Sequence, residues 1–111
     1  MNTTIDFNYK GKTYSLEFTR KSIKTMEDRG FTLDDNMLNK PVTLLSELFR
    51  GAFLVNHKFV KPTLIDEILE TMKNKGKLRN KLIDMYTDTL QALYNDEEES
   101  ESDEETFTDW E

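Results

Sequence analysis

Residues 5–18 read IDFNYKGKTYSLEF, and their period of two decides how the chain begins. Ile5, Phe7 and Tyr9 alternate with Asp6, Asn8 and Lys10. Beyond Gly11, Tyr14, Leu16 and Phe18 alternate with Ser15 and Glu17. Successive side chains of a strand point to opposite faces, so each run collects its apolar residues on one side. The Lys-Gly-Lys break supplies a tight turn, with Gly11 free to adopt the positive φ that such a turn demands. The pattern predicts a β-hairpin with one apolar face. A lone hairpin is unstable in water, so that face needs a cover.

The cover comes from residues 19–94, where the period becomes helical. Thr19 is an N-cap for a helix over 20–29, with Ile23 and Met26 inward and Gly30 as its stop. Residues 31–40 (FTLDDNMLNK) read as a polar connector that Phe31, Leu33, Met37 and Leu38 can pin down. Pro41 opens a second helix, because its missing N–H would be unpaired in a first turn anyway. Leu44, Leu45, Leu48, Phe49, Ala52 and Phe53 then form a broad apolar stripe, the clearest core element of the chain. Gly51 falls inside that stripe, where it permits close helix approach or marks a kink. Pro62 and Thr63 open a third helix, with Thr63 and Asp66 as an approximate capping box and Leu64, Ile65, Ile68, Leu69 and Met72 along one face. Residues 73–76 (KNKG) stop it. A fourth helix is expected over 77–94, with Leu78, Leu82, Met85, Tyr86, Leu90 and Leu93 inward. Strands followed by helices make an α+β fold: an N-terminal hairpin packed on a bundle of about four helices, in one domain over 1–94.

Charge divides the chain at the same place. The last seventeen residues, 95–111, read NDEEESESDEETFTDWE and hold ten carboxylates without a lysine or arginine. The other 94 carry fifteen basic and twelve acidic residues, a net of +3, although the whole chain stands at −7. Like charges at this density repel, and too little apolar surface is present to offset the ordering entropy. A disordered acidic tail is therefore expected over 95–111, acting through what it binds.

Catalytic constellations are wanting. The chain has no cysteine, which excludes disulfides, thiolate metal sites and cysteine nucleophiles. His57, the only histidine, reads as a surface-loop residue between Asn56 and Lys58, without a second nitrogen ligand for a transition metal. Asp34-Asp35-Asn36 lacks the ligand spacing and closing glutamate of a calcium loop. Asp66, Glu67 and Glu70 read as the solvated flank of an amphipathic helix. No apolar run is long enough for a membrane span, and no signal peptide or basic cluster is present. These readings point away from an enzyme, a cofactor, a metal, a membrane or a nucleic acid. Phe107 and Trp110 are large apolar residues inside a polyanion. They are either incidental residues of a terminus or a short linear motif, TFTDWE, whose tryptophan docks in a partner's pocket.

A hairpin followed by a Thr-Arg helix start, a P-x-x-L-L-x-x-L-F-x-G-A-F segment over 41–53, and an acidic end with a near-terminal tryptophan together resemble the tail assembly chaperones of long-tailed phages of Gram-positive bacteria. The likeness spans essentially the whole chain. It implies a non-catalytic protein of the host cell cytoplasm, absent from the mature virion, that coats the tape measure protein and helps recruit tail tube subunits. It also implies a longer form made by ribosomal frameshifting, and it is compatible with self-association. On this resemblance the partner-binding residues would come from Leu45, Phe49, Phe53, Leu64 and Ile68, covering an amphipathic helix of the tape measure, with Phe107 and Trp110 holding the tube protein. A monomer core uses the same residue types at the same spacing. The competing reading is a polyanionic regulator, whose acidic tail mimics nucleic-acid phosphate in a basic groove of its target.

Overall fold

The computed structural model describes residues 4–103, with side chains described through residue 92. The chain is α+β, a two-stranded hairpin followed by five helices: β1 (Ile5–Tyr9), β2 (Lys12–Leu16), α1 (Arg20–Asp28), α2 (Asp35–Leu38), α3 (Pro41–Ala52), α4 (Pro62–Thr71) and α5 (Lys75–Asp103).

The strands pair antiparallel with Phe7 opposite Tyr14 and Ile5 opposite Leu16, so the alternating apolar residues share one face as expected. The turn is tighter than one glycine requires. Lys10 (φ 51°) and Gly11 (φ 83°) both stand in the left-handed region, as a two-residue type I′ turn demands.

The hairpin's apolar face meets α3. Phe7 stacks on Tyr14 at 5.4 Å between ring centroids and reaches Phe49 and Phe53, each at 6.4 Å. Phe49 and Phe53 pack edge-to-face at 5.2 Å, and neither leaves more than 1% of its surface exposed. A second aromatic cluster ties α1 to α5: Tyr86 packs edge-to-face on Phe18 at 5.4 Å and on Phe31 at 5.7 Å. Leu44, Leu48, Ile68 and Leu82 join the two clusters into one core.

The outer edge of β2 would offer unpaired backbone groups to any passing strand. The last residue of α3 and the segment between α3 and α4 cover it. Glu17 N–H donates to the Ala52 carbonyl at 3.2 Å, Ser15 N–H donates to His57 Nε2 at 3.0 Å, and the Asn56 side-chain amide donates to the Ser15 carbonyl at 3.1 Å. A loop therefore takes the place of a third strand.

Local signals hold at α1. Thr19 Oγ1 accepts from Ser22 N–H at 3.1 Å while Ser22 Oγ accepts from Thr19 N–H at 2.9 Å, a reciprocal capping box that also satisfies the buried serine. Gly30 closes the helix at φ 99°. Gly51 permits close approach, the first of its two expected roles. A Cβ built there would overlap the Met26 thioether, so α1 packs directly on the α3 backbone.

Other boundaries move. The connector contains a short helix, α2, because Asp34 Oδ1 accepts from Met37 N–H at 2.9 Å and caps it; Leu38 stays exposed. The Thr63–Asp66 capping box does not form. Pro62 already occupies the first turn of α4, and Asp66 instead grips Arg50 through Nε at 3.0 Å and Nη2 at 2.5 Å, a two-pronged clasp between α3 and α4. Gly76 is not a stop, since Asn74 Oδ1 accepts from Lys77 N–H at 3.1 Å and Lys75 and Gly76 fall in the first turn of α5. Lys75 does serve the end of α4 as a cation should, donating to the Met72 carbonyl at 2.9 Å. The helix expected over 77–94 extends through Asp103, past the anticipated boundary at residue 94, consistent with the high helix propensity of glutamate. Phe107 and Trp110 lie outside the described residues.

Candidate functional site

The segment that covers β2 also walls a broad surface groove of about 1110 Å³. Its other walls are the start of β2, the exposed side of α1 and the first turn of α4. The apolar lining comes from Tyr14, Leu54, Val55, Phe59, Val60 and Leu64. Around them stand Lys12, Lys21, Arg29, Lys58 and Lys61, and among the described residues no carboxylate lines the groove. Five of the chain's fifteen cations thus meet at one place, although no two of them adjoin in sequence.

Phe59 is the outlying feature. It is 88% exposed on a small domain whose other phenylalanines at 7, 18, 31, 49 and 53 enter or pack on the core. Lys58 Nζ lies 5.2 Å from its ring centroid, and Lys12 Nζ lies 5.5 Å from that of Tyr14. These cation–π pairs keep charge beside aromatic surface, a combination suited to a ligand with both carboxylates and apolar side chains.

His57 is half-buried rather than a free loop residue. Its ring packs edge-on against Tyr14 at 5.1 Å, and its Nε2 accepts the Ser15 N–H. Accepting there requires an unprotonated Nε2, so the neutral ring carries its proton on Nδ1. Burial, and secondarily the Lys12 charge, hold its pKa below the ordinary histidine value. A histidine with a depressed folded pKa contributes stability that is present above its unfolded pKa and lost as pH falls toward the folded one. Urea unfolding at pH 7.5 and pH 5.5 should therefore show a loss on the acid side of about pH 6.5 that His57→Gln reduces. An equal loss in both proteins would exclude His57 as its source.

The residues expected to bind a partner separate into three groups. Phe49, Phe53 and Ile68 are at 0%, 1% and 0% exposure and lie in the chain's own core, the alternative that their type and spacing also allowed. The hairpin takes the face of α3 that the expectation had left open. Leu45 and Leu64 are half-buried; Leu64 lines the groove, while Leu45 lies one turn after the 79%-exposed Val42 on α3. Phe107 and Trp110 form the third group, outside the described residues. Sequence reasoning missed Phe59. The available signal was an aromatic residue between lysines in the polar break NHKFVKP, at 56–62, with no helical or strand period to bury it.

Among the described residues no cluster of three or more histidine and carboxylate side chains could hold a metal ion. No described helix is long and apolar enough to cross a membrane. No curated protein and no solved structure significantly matches the chain. A family model described as a domain of unknown function (DUF5055) matches residues 1–110, and the chain belongs to that family.

Proposed function

We propose that the protein is a non-catalytic phage tail assembly chaperone that binds the tape measure protein, keeps it soluble in the host cell cytoplasm, and helps recruit tail tube subunits. A longer frameshifted form belongs to the same proposal. The reading rests on the resemblance of the sequence to those chaperones, and the observation that carries it in three dimensions is the groove with Phe59 at its rim. A chaperone of this kind needs a surface that accepts an amphipathic helix without chemistry. An open apolar trough edged by cations suits such a helix if acidic residues flank its apolar stripe. The groove replaces the core residues Phe49, Phe53 and Ile68 as the docking surface and retains Leu64.

Co-expression with the tape measure gene of the same locus, followed by affinity capture and intact-mass measurement, tests the reading. Soluble tape measure protein should be retained, together with a minor extended form sharing this N-terminus. Phe59→Ala should reduce capture by about tenfold or more if the ring is an anchor in the interface, because a central aromatic contributes on the order of 2 kcal/mol. Tape measure protein that stays insoluble, or that is captured equally by Phe59→Ala and by a Phe59→Ala, Leu64→Ser double variant, would remove this groove from the proposal.

A further inference from the structure

We propose that the groove beside the hairpin is the docking site for the acidic, aromatic C-terminal segment of a second copy of this chain. Complementarity selects the segment. Among the described residues the groove offers five cations, no carboxylate and an apolar floor. Residues 104–111, EETFTDWE, offer four acidic side chains, one phenylalanine and one tryptophan, with no cation. Residues 93–99, LYNDEEE, also join an aromatic residue to carboxylates, but they belong to α5, whereas residues 104–111 bring two large aromatic side chains beyond it. The family match also runs through Trp110, so these residues lie within the region matched to the family.

The geometry of α5 says which copy supplies the segment. Among the described side chains of α5, Tyr86 is the last that is fully buried, and it is held between Phe18 and Phe31. From there the helix continues to Asp103, about 25 Å at 1.5 Å per residue. Eight further residues reach about 28 Å at full extension. A segment that leaves at the end of α5 would have to spend that length reversing along the helix to reach the groove of its own chain. A neighbouring molecule needs no such reversal. The resulting contact joins groove to tail: it closes as a two-fold dimer where two copies exchange tails reciprocally, and generates rings or open chains where they do not. Stoichiometry suits the same occupant, since each copy of this chain brings one tail for each groove.

The proposal depends on the groove being a docking surface but not on the tape measure protein being its ligand, and its test uses the purified full-length chain alone. Trp110 is the only tryptophan, so intrinsic fluorescence reports on the segment directly. In low salt the emission should be blue-shifted relative to the urea-denatured chain. The shift should fade on dilution in step with a fall in sedimentation mass toward the monomer. At about 1 M salt, where the screening length is about 3 Å, both signals should be lost. A Lys58→Glu, Phe59→Ser, Lys61→Glu variant changes only exposed side chains, so its circular dichroism should match that of the parent. Its association should weaken by at least tenfold, and the parallel Trp110→Ala variant should weaken similarly. Emission equal to that of the denatured chain at every concentration would overturn the proposal. So would a blue shift that persists in the monomer, which would mean that the segment folds back on its own chain. Association unaffected by the groove variant would place the contact elsewhere. Displacement of the shift by a single-stranded oligonucleotide, without any self-association of the protein, would give the groove to nucleic acid.

Discussion

Phe49→Ala is expected to lower the stability of the protein by about 3–5 kcal/mol, the range for deleting a buried aromatic side chain. The ring has no exposed surface, stacks near Phe7 and meets Phe53 edge-on, so its removal empties the junction between the hairpin and α3. A domain of this size holds about 5–15 kcal/mol in total, and the hairpin has no stability of its own to contribute. The variant should therefore unfold at much lower urea, with the hairpin and α3 losing their structure together. Equilibrium urea unfolding followed by circular dichroism measures this. The comparison with Phe59→Ala decides what each ring is for. Truncating an exposed ring should change stability by less than about 0.5 kcal/mol. If Phe49→Ala were as stable as the parent and lost only partner binding, the burial of Phe49 would be irrelevant in solution and the apolar face of α3 would be a binding surface after all.

That contrast also shows where the sequence is legible. Period-two alternation places Ile5, Phe7, Tyr14 and Leu16 on one face because a strand has no other way to arrange them, and the pairing of Phe7 with Tyr14 follows. Thr19, Gly30 and Pro41 announce helix ends through backbone chemistry that operates within four residues. The errors arise where a second element decides. Asp66 has the spacing of a capping residue, but Arg50 on α3 competes for it and wins with two hydrogen bonds. His57 sits in a polar break that reads as solvent-facing, and the edge of β2, more than forty residues earlier, recruits its ring. The groove is the extreme case. Lys12 comes from β2, Lys21 and Arg29 from α1 and its C-cap, and Lys58 and Lys61 from the break before α4, so no single local pattern could have revealed their convergence. A periodic apolar stripe identifies residues that will be covered but not what covers them. Phe49 and Phe53 are covered by the hairpin, whereas Phe59, which belongs to no stripe, faces outward.

Gly51→Val is expected to cost about 2–3 kcal/mol, through overpacking of a well-filled core and the χ1 restriction of a β-branched residue in a helix. Glycine in a helix ordinarily carries a penalty of about 1 kcal/mol relative to alanine, so a substitution without neighbours would stabilise α3. Here the space beyond the Gly51 Cα is filled by the Sδ, Cε and Cγ atoms of Met26. The far end of a methionine can swing aside, but Met26 is itself buried at 4% exposure, and its displaced thioether must find room in the same core. A valine places two methyl groups against the flexible end of Met26, so the thioether must swing aside and α1 shifts away from α3 where the core has no room for it. The shift would spread to the Thr19–Ser22 capping box and to the α1 wall of the groove, which includes Lys21, Thr25 and Arg29. Met26→Ala in the Gly51→Val background should recover part of the loss, giving a coupling of about 1 kcal/mol or more in a double-mutant cycle. Additive losses in that cycle would show that the two helices do not meet at Gly51, and the close approach would have to be rejected.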